Sequence, residues 1–266
     1  MHITSRENHI IKEYIKLARS GKHRREARRF VLEGARLIKD AVLSGVHIQA
    51  VLFEENALKK NTTLSDLYAF LNEKNIDIYT VTEALADALA DTINTQGVFC
   101  IAFMLDKHIF SDRIETNGIY LALESIQEPG NLGTILRTAE AFGINGVFLS
   151  GDCADIYSPK VLRASMGAVF RLPFLLADNL PSTLTELKAK GMACLAAVAD
   201  IDAEDIINVK ISGGAVISIG NEGNGLSQNS IDACGEKVTI RMKGRAESLN
   251  AAAAAAVLMW EITARR

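Results

Sequence analysis

The fold is decided by residues 128–139, EPGNLGTILRTA, together with the apolar run Ile119–Glu124 that comes before them. The apolar run predicts a buried strand, and the Pro129-Gly130 pair predicts a sharp turn after it. The next stretch, Leu132–Phe142, has apolar residues at helical spacing and predicts a helix. A strand that turns directly into a helix is typical of open α/β sheets, in which ligands bind outside the carboxyl ends of the strands.

Two later segments repeat this arrangement. Residues 220–227, GNEGNGLS, end the predicted strand Val216–Gly220. Another predicted strand, Val238–Arg241, ends within residues 240–242 (IRM), and residues 247–250 (ESLN) come shortly after it. Glycines allow a backbone to approach a ligand closely, but this spacing matches neither a P-loop nor a dinucleotide fingerprint. We expect the three segments to converge at one edge of a sheet.

The remainder of the second half alternates strands with helices. Its other predicted strands are Val147–Ser150, Val169–Leu176 and Met192–Ala197. Its other predicted helices are Pro159–Met166, Thr183–Lys190 and Ser248–Arg265. Apolar strands separated by helices predict a parallel sheet that is buried on both faces.

The first half is also predicted to be α/β. A helix over residues 8–20 is ended by Gly21, and later helices are predicted at Gly34–Ser44, Leu64–Asn72 and from Thr82 onward. The predicted strands are Phe30–Gly34, Ile48–Phe53, Ile76–Val81 and Val98–Leu105. This alternation predicts a three-layer sandwich as a first domain over residues 1–105. The polar stretch 106–117 ends in Asn-Gly and predicts a linker, so residues 118–266 form the second domain.

Composition excludes several classes of protein. The chain has 266 residues, of which 48% are hydrophobic, and no apolar stretch reaches the roughly 18 residues that a membrane span needs. The first residues contain no apolar signal region, so we expect a cytoplasmic protein rather than a secreted one. The cysteines Cys100, Cys153, Cys194 and Cys234 are far apart. Their spacing predicts buried, reduced thiols and neither a zinc site nor a disulfide framework.

The charge is distributed unevenly. The net charge is −3, yet residues 1–50 contain eleven Lys and Arg against five Asp and Glu. The candidate polyanion-binding residues in this basic stretch are Lys22, Arg24, Arg25, Arg28 and Arg29. A local patch of this kind attracts polyanions even on an acidic protein. The plainer alternative is an ordinary solvated helix and turn.

The three segments resemble, in the same order, the signature motifs of the SpoU (TrmH-type) RNA ribose 2′-O-methyltransferases of the SPOUT superfamily. The resemblance covers roughly residues 118–266. More loosely, the first half resembles the L30e-like substrate-binding domain that often precedes such domains. The resemblance implies a parallel-sheet SPOUT domain with a deep trefoil knot, a homodimer, S-adenosylmethionine as cofactor and RNA as substrate. The separate first domain favours ribosomal RNA of the 23S type, by analogy.

The resemblance also implies the site residues. The residues implied to be catalytic are Asn131, Arg137, Glu222, Ser248 and Asn250. The residues implied to bind the cofactor through their backbone are Gly220, Ile240 and Leu249, and no metal is implied. The sequence departs from the family at Arg241, where the family usually has Pro, and at Ala251, where it often has Val. Arg241 restores an N–H group and frees φ, which alters the expected shape of the cofactor loop.

The residues alone leave plainer interpretations open. Asn131, Ser248 or Asn250 would serve as a helix cap, and Arg137 and Glu222 would be exposed charges. Three other functions also stay open: methylation of tRNA, RNA binding without catalysis, and a nucleotide-dependent oxidoreductase. The missing phosphate fingerprint counts against the oxidoreductase.

Overall fold

The structure is a computed structural model that describes residues 1–92, 94–105 and 114–264. The strands are β1 (His2–Ile3), β2 (Arg29–Glu33), β3 (Ile48–Glu54), β4 (Ile78–Val81), β5 (Val98–Phe103), β6 (Ile119–Leu123), β7 (Gly146–Ser150), β8 (Phe174–Ala177), β9 (Ala193–Ala197), β10 (Glu204–Asp205), β11 (Ala215–Ile219) and β12 (Glu236–Thr239). The α-helices are α1 (His9–Arg19), α2 (Gly21–Ala27), α3 (Ala35–Leu43), α4 (Glu55–Lys60), α5 (Thr62–Glu73), α6 (Glu83–Leu89), α7 (Pro129–Ala141), α8 (Pro159–Ser165), α9 (Ala168–Arg171), α10 (Leu180–Ala189), α11 (Gln228–Cys234) and α12 (Ala251–Ala264). A short 3₁₀ helix spans Ile206–Asn208.

The chain divides into two compact units. The first consists of Met1–Leu105 and Asp155–Phe170, and the second of the described residues of Asp106–Ala154 and Arg171–Arg266. Of the predicted linker 106–117, residues 106–113 lie outside the described residues.

The second unit is built on a seven-stranded sheet in the order β10-β12-β9-β11-β6-β7-β8. Every neighbouring pair in it is parallel. The central strands β6 and β11 are buried along their whole length, which confirms the predicted parallel sheet with two covered faces. Because the strands are parallel, the segments that follow β6, β9, β11 and β12 all emerge at the same edge.

The first unit contains a mixed five-stranded sheet in the order β1-β4-β3-β5-β2. Strand β5 runs antiparallel to both β2 and β3, whereas β4 is parallel to β1 and β3. Helix α1 packs its apolar stripe into the core, where the Tyr14 ring meets the Phe99 ring edge-on at 5.7 Å between centroids. Full burial of side chains such as Ile11 and Leu17 contributes about 1.5–3 kcal/mol each.

The predicted strand Val169–Leu176 is wrong over its first half. The structure has helix α9 at Ala168–Arg171, and strand β8 begins only after Pro173. Met166 and Gly167 both have positive φ, so they end α8 and redirect the chain into a new turn of helix. A short apolar run does not distinguish a buried strand from a buried helix by periodicity, which explains the error.

The sequence also missed the helix that begins at Gly21, the residue predicted to end α1. Helix α1 ends at Arg19, one residue before the predicted end at Ser20, and the Ser20 hydroxyl accepts a hydrogen bond from the His23 N–H at 3.1 Å. Ser20 therefore caps a second helix, α2, which carries part of the basic stretch. The other unpredicted elements are short: β1, α4, β10, the 3₁₀ helix and α11.

One residue of the predicted polyanion-binding set is buried. The Arg24 side chain donates from Nε and Nη2 to the Asp155 carboxylate at 2.9 and 2.6 Å, and from Nη1 to the Leu17 carbonyl at 2.6 Å. Arg24 is only 5% exposed. This corrects the prediction that Arg24 is available to a polyanion, because its guanidinium group is fully used inside the first unit.

The four cysteines are free thiols, and three of them are buried. Burial raises the pKa of the Cys194 thiol to about 12 and that of the Cys100 thiol well above its ordinary value. These thiols stay protonated at neutral pH and are unreactive. Within the described ranges, no helix combines the length and the hydropathy needed to cross a bilayer.

Candidate active site

The first segment begins helix α7. The Glu128 carboxylate accepts a hydrogen bond from the Asn131 N–H at 2.9 Å, so Glu128 is the N-cap and Pro129 occupies the first turn. The interpretation of Asn131 as the cap is therefore wrong. Its side chain is available for tertiary contacts, while Leu132 and Ile135 bury the opposite face of the helix.

The second segment is a compact turn organised by Asn221. The Asn221 Oδ1 accepts hydrogen bonds from the N–H groups of Gly223 at 2.8 Å and Asn224 at 3.2 Å. Its backbone also exchanges two hydrogen bonds with Gly225, whose φ is +69°. A side chain at Gly220 would bring its Cβ within 2.1 Å of the Gly225 carbonyl carbon, so only glycine fits there. This turn presents the exposed Glu222 at its tip.

The glycine turn is held to the end of β6. The Asn221 Nδ2 donates to the Ser125 carbonyl at 2.9 Å, and Ser125 adopts a left-handed φ of 56°. The Glu124 carboxylate accepts from the Ser227 N–H, the Ser227 hydroxyl and the Ser230 hydroxyl at 2.7–2.9 Å. Sequence reasoning missed both Glu124 and Asn221. The available signal was a carboxylate at the end of a buried strand and an Asn inside a glycine-rich turn.

Ser125 is stabilised in turn by Asp152. Hydrogen bonds from the Ser125 and Ser150 hydroxyls lower the pKa of the Asp152 carboxyl, which is therefore ionised at neutral pH. The carboxylate thus ties the end of β6 to the end of the neighbouring β7.

The third segment leads into α12. The Asn250 Oδ1 accepts hydrogen bonds from the N–H groups of Ala252 at 2.9 Å and Ala253 at 3.4 Å, so Asn250 caps this helix. The capping interpretation is correct for Asn250, but it is incomplete. The Nδ2 of the same side chain donates to the Asn131 Oδ1 at 3.1 Å.

Asn131 joins all three segments. Its Nδ2 donates to the Glu222 Oε1 at 2.7 Å while its Oδ1 accepts from Asn250. The three residues lie far apart in sequence, yet they form one continuous chain of side-chain hydrogen bonds. The predicted convergence of the segments is present in the geometry of the second unit.

A cavity of about 640 Å³ opens beside this chain of hydrogen bonds. The predicted residues that line it are Gly220, Glu222, Ile240, Ser248 and Leu249. Apolar walls come from Leu226, Val238 and Leu258, and acidic groups come from Asp200 and Glu247. Its volume suits a ligand of a few dozen atoms, and its position matches the carboxyl-end crevice of parallel α/β sheets.

Arg137 belongs to neither the hydrogen-bond chain nor the cavity lining. It is exposed on α7, about 9 Å along the helix axis from Asn131. Among the residues the structure describes, none forms a hydrogen bond or an ion pair with its guanidinium group. Asn131 and Arg137 therefore lie on the same helix, and the exposed Arg137 side chain is accessible to a binding partner.

The remaining basic residues predicted to bind a polyanion differ in their environments. Lys22 and Arg25 are exposed on α2, and Lys22 lies 3.8 Å from Glu26 in an exposed i,i+4 pair. Arg28 ends α2 in a left-handed conformation and is exposed. Arg29 is half-buried, with ion-pair and hydrogen-bond partners in Glu13 at 2.9 Å and Gln49 at 2.8 Å.

Comparison with known proteins defines the class. The SpoU rRNA Methylase family model matches residues 118–260, which is more than half of the chain. A second model, the MRM3-like substrate binding domain, matches residues 8–100. The chain belongs to the SpoU rRNA methylase family.

Individual relatives cover almost the whole chain. The 23S rRNA (guanosine(2553)-2′-O)-methyltransferase RlmP of Bacillus subtilis is 30% identical over 261 residues, 98% of both proteins. The crystal structure of an RNA 2′-O ribose methyltransferase has a TM-score of 0.83 at 33% identity, covering 100% of this chain and 98% of that one. The AdoMet-bound rRNA methyltransferase from Sinorhizobium meliloti has a TM-score of 0.85 at 29% identity, covering 100% and 97%.

Proposed function

We propose that this protein transfers a methyl group from S-adenosylmethionine to a ribose 2′-hydroxyl of 23S-type ribosomal RNA. The observation that carries the proposal is the hydrogen-bond chain Asn250–Asn131–Glu222 at the rim of the 640 Å³ cavity. The 23S rRNA 2′-O-methyltransferase RlmP of Bacillus subtilis aligns with this protein over nearly its full length, which supports ribosomal RNA over tRNA as the substrate. Such a substrate would place the protein in the cytoplasm.

The cavity fits the proposed cofactor chemically. S-adenosylmethionine, when bound, supplies an electrophilic methyl group on a positively charged sulfur. The carboxylates of Asp200, Glu222 and Glu247 line the cavity and favour a cationic ligand. The backbones of Gly220, Ile240 and Leu249 would hold the adenosyl part, because polar backbone groups among apolar walls fix the orientation of such ligands.

We propose that Arg137 contacts the RNA substrate. In the proposed reaction the ribose 2′-oxygen would bond to the methyl carbon supplied by the bound cofactor, the carbon–sulfur bond would break with its electron pair on sulfur, and the hydroxyl proton would pass to solvent water. An arginine side chain stays protonated in proteins, so its natural role is to grip a phosphate and stabilise the developing alkoxide. The support for this role is the exposed guanidinium group of Arg137, which no described residue engages.

Asn131, Glu222, Ser248 and Asn250 would orient the ribose. Asn131 and Asn250 are held by their mutual hydrogen bond, and Glu222 keeps its second carboxylate oxygen for the substrate. The Ser248 hydroxyl is exposed at the cavity wall and is able to donate or accept a hydrogen bond. Preorganised polar groups of this kind lower the barrier because they need no rearrangement during the reaction.

The replacement Arg137→Ala is expected to lower kcat for RNA methylation by about 100-fold or more, the scale of losing one charge-stabilising group. The dissociation constant for S-adenosylmethionine is expected to stay within about twofold of wild type, because Arg137 does not line the cavity. Tritium transfer into RNA and titration calorimetry measure the two quantities. Turnover within a few-fold of wild type would rule out the assigned role.

We further propose that residues 1–105 form an L30e-like RNA-binding domain and residues 118–266 the catalytic domain, although Asp155–Phe170 of the second stretch belong to the first compact unit. The MRM3-like match over residues 8–100 supports the first assignment. The RNA-contacting groups are proposed to be Lys22, Arg25 and Arg28, all exposed, with Arg29 at their edge. Arg24 is excluded because it is buried against Asp155.

Arg24 and Arg25 offer a matched pair of variants. Arg25→Ala is expected to weaken RNA binding and to reduce the salt slope, d log K/d log[salt], by about 1, since one phosphate contact is lost. Arg24→Ala is expected to leave that slope unchanged but to lower the free energy of unfolding by about 2 kcal/mol, because the half-buried Asp155 carboxylate and the buried Leu17 carbonyl lose their hydrogen-bond donor. Filter binding at several salt concentrations and urea denaturation distinguish them. Binding that ignores ionic strength would contradict the RNA-contact proposal.

We also propose the homodimer and the deep trefoil knot implied by the family. An exposed apolar stripe on α12, made of Ala253, Val257 and Trp260, supports the homodimer. Trp260 is 56% exposed, and its ring contacts Phe142 at 5.8 Å between centroids. Stripes of this kind on a helix mark interaction sites.

For the knot, an experimental chain trace in which the segment after β12 passes through no loop would contradict the proposal.

Trp260→Glu is expected to convert the protein to a monomer at micromolar concentration, because a charge would be buried in the interface. Light scattering after size-exclusion chromatography measures the mass. Leu43→Glu is the matched control, since Leu43 is also exposed (67%) but lies on α3. A wild-type protein that is already monomeric, or an unchanged mass for Trp260→Glu, would contradict the homodimer.

A further inference from the structure

Arg241 reaches back to a different part of the second unit. It follows the end of β12, and its Nη1 donates to the Ile201 carbonyl at 2.5 Å. Its Nη2 donates to the Ala203 carbonyl at 3.1 Å. One side chain therefore satisfies two backbone acceptors in the loop 198–203, which connects β9 to β10.

The middle of the loop forms a turn of its own, in which the Asp202 N–H donates to the Asp200 Oδ1 at 2.9 Å and the Ala203 N–H donates to the Asp200 carbonyl at 3.3 Å. At its start, the Val198 N–H donates to the Val238 carbonyl at 2.9 Å, and at its end β10 pairs with β12. Between these points, the Asp200 carboxylate lies 3.7 Å from the Lys237 ammonium, but both side chains are well exposed to solvent. Exposed ion pairs contribute little. The two hydrogen bonds from Arg241 tie the loop carbonyls of Ile201 and Ala203 to the segment that follows β12.

The restrained loop is also a wall of the cavity. Residues 197–201 line the cavity on one side, and residues 240–242 line it next to them. Ile201, whose carbonyl accepts a hydrogen bond from Arg241, is itself one of the lining residues, and its side chain is 80% exposed. Arg241 thus connects two neighbouring segments of the cavity lining.

We propose that Arg241 is a positioning residue that holds the loop 198–203 in the conformation that binds the cofactor. The proposal rests on the function proposed above. A planar guanidinium group suits this task, because its separate N–H groups bond two carbonyls at once, whereas a lysine offers a single point of attachment. A proline, the usual family residue at this position, would have no such side chain, so this chain orders its loop by a different means.

The expected effect is on affinity and not on the chemical step. When a binding site is formed only part of the time, its apparent dissociation constant equals the intrinsic dissociation constant divided by the fraction of molecules in which the site is formed. If removing the guanidinium group lowers the ordered fraction of the loop to about one tenth, affinity for S-adenosylmethionine falls about tenfold. The value of kcat at saturating cofactor is unchanged, because Arg137 and the Asn131–Glu222–Asn250 chain are untouched.

The test compares Arg241→Met, which keeps the aliphatic stem but loses the donors, with the control Lys243→Met. Lys243 is exposed, carries the same charge and does not line the cavity. Hydrogen–deuterium exchange of the loop 198–203 without cofactor is expected to quicken in Arg241→Met alone. Titration calorimetry with S-adenosylmethionine is expected to show about tenfold weaker binding for Arg241→Met and no change for Lys243→Met. Arg241→Lys is expected to fall between Arg241→Met and wild type.

Several results would overturn the proposal. Unchanged loop exchange in Arg241→Met, or unchanged affinity despite faster exchange, contradicts the positioning role. Equal weakening by Lys243→Met assigns the effect to charge and not to the loop. If the wild-type protein shows no heat with S-adenosylmethionine, the proposed function fails, and the exchange data still decide whether Arg241 holds the loop.

Discussion

The side chain of Asn131 is the point on which the site depends. It donates to Glu222 and accepts from Asn250, so it links residues that are 91 and 119 positions away along the chain. Each bond is exposed and is worth only about 1 kcal/mol net. The bonds form because each segment is first fixed locally, by Glu128 at the start of α7, by Asn221 inside the glycine turn and by Asn250 at the start of α12.

A second set of polar groups connects the end of β6 to the glycine turn and to the start of α11. The Glu124 carboxylate at the end of β6 accepts three hydrogen bonds from the start of α11. The Ser125 carbonyl accepts a hydrogen bond from the side-chain amide of Asn221. The strands β6 and β11 are adjacent in the sheet, so their ends are already close. The polar contacts then set the exact shape of the glycine turn. The parallel sheet brings the segments together, and the side-chain hydrogen bonds give the site its geometry.

The sequence predicted the features that arise from local patterns. Apolar runs identified the parallel strands, and the glycine and asparagine turns identified the edge at which the site lies. The roles of Arg24 and Arg241 were out of reach, because the partner of Arg24 lies 131 positions away and the partners of Arg241 are backbone carbonyls about 40 positions away. The helix at Ala168–Arg171 was missed because its short apolar run fits a buried strand equally well.

This member of the SpoU family is proposed to methylate a ribose of ribosomal RNA. A 2′-O-methyl group blocks alkaline cleavage of the adjoining phosphodiester, so methylated positions can be mapped along entire RNAs. The most direct measurement compares such maps of rRNA and tRNA from cells that carry or lack the gene. We expect one position in large-subunit rRNA to be alkali-resistant only when the gene is present. A resistant position in tRNA alone, or identical maps for every RNA, would contradict this proposal.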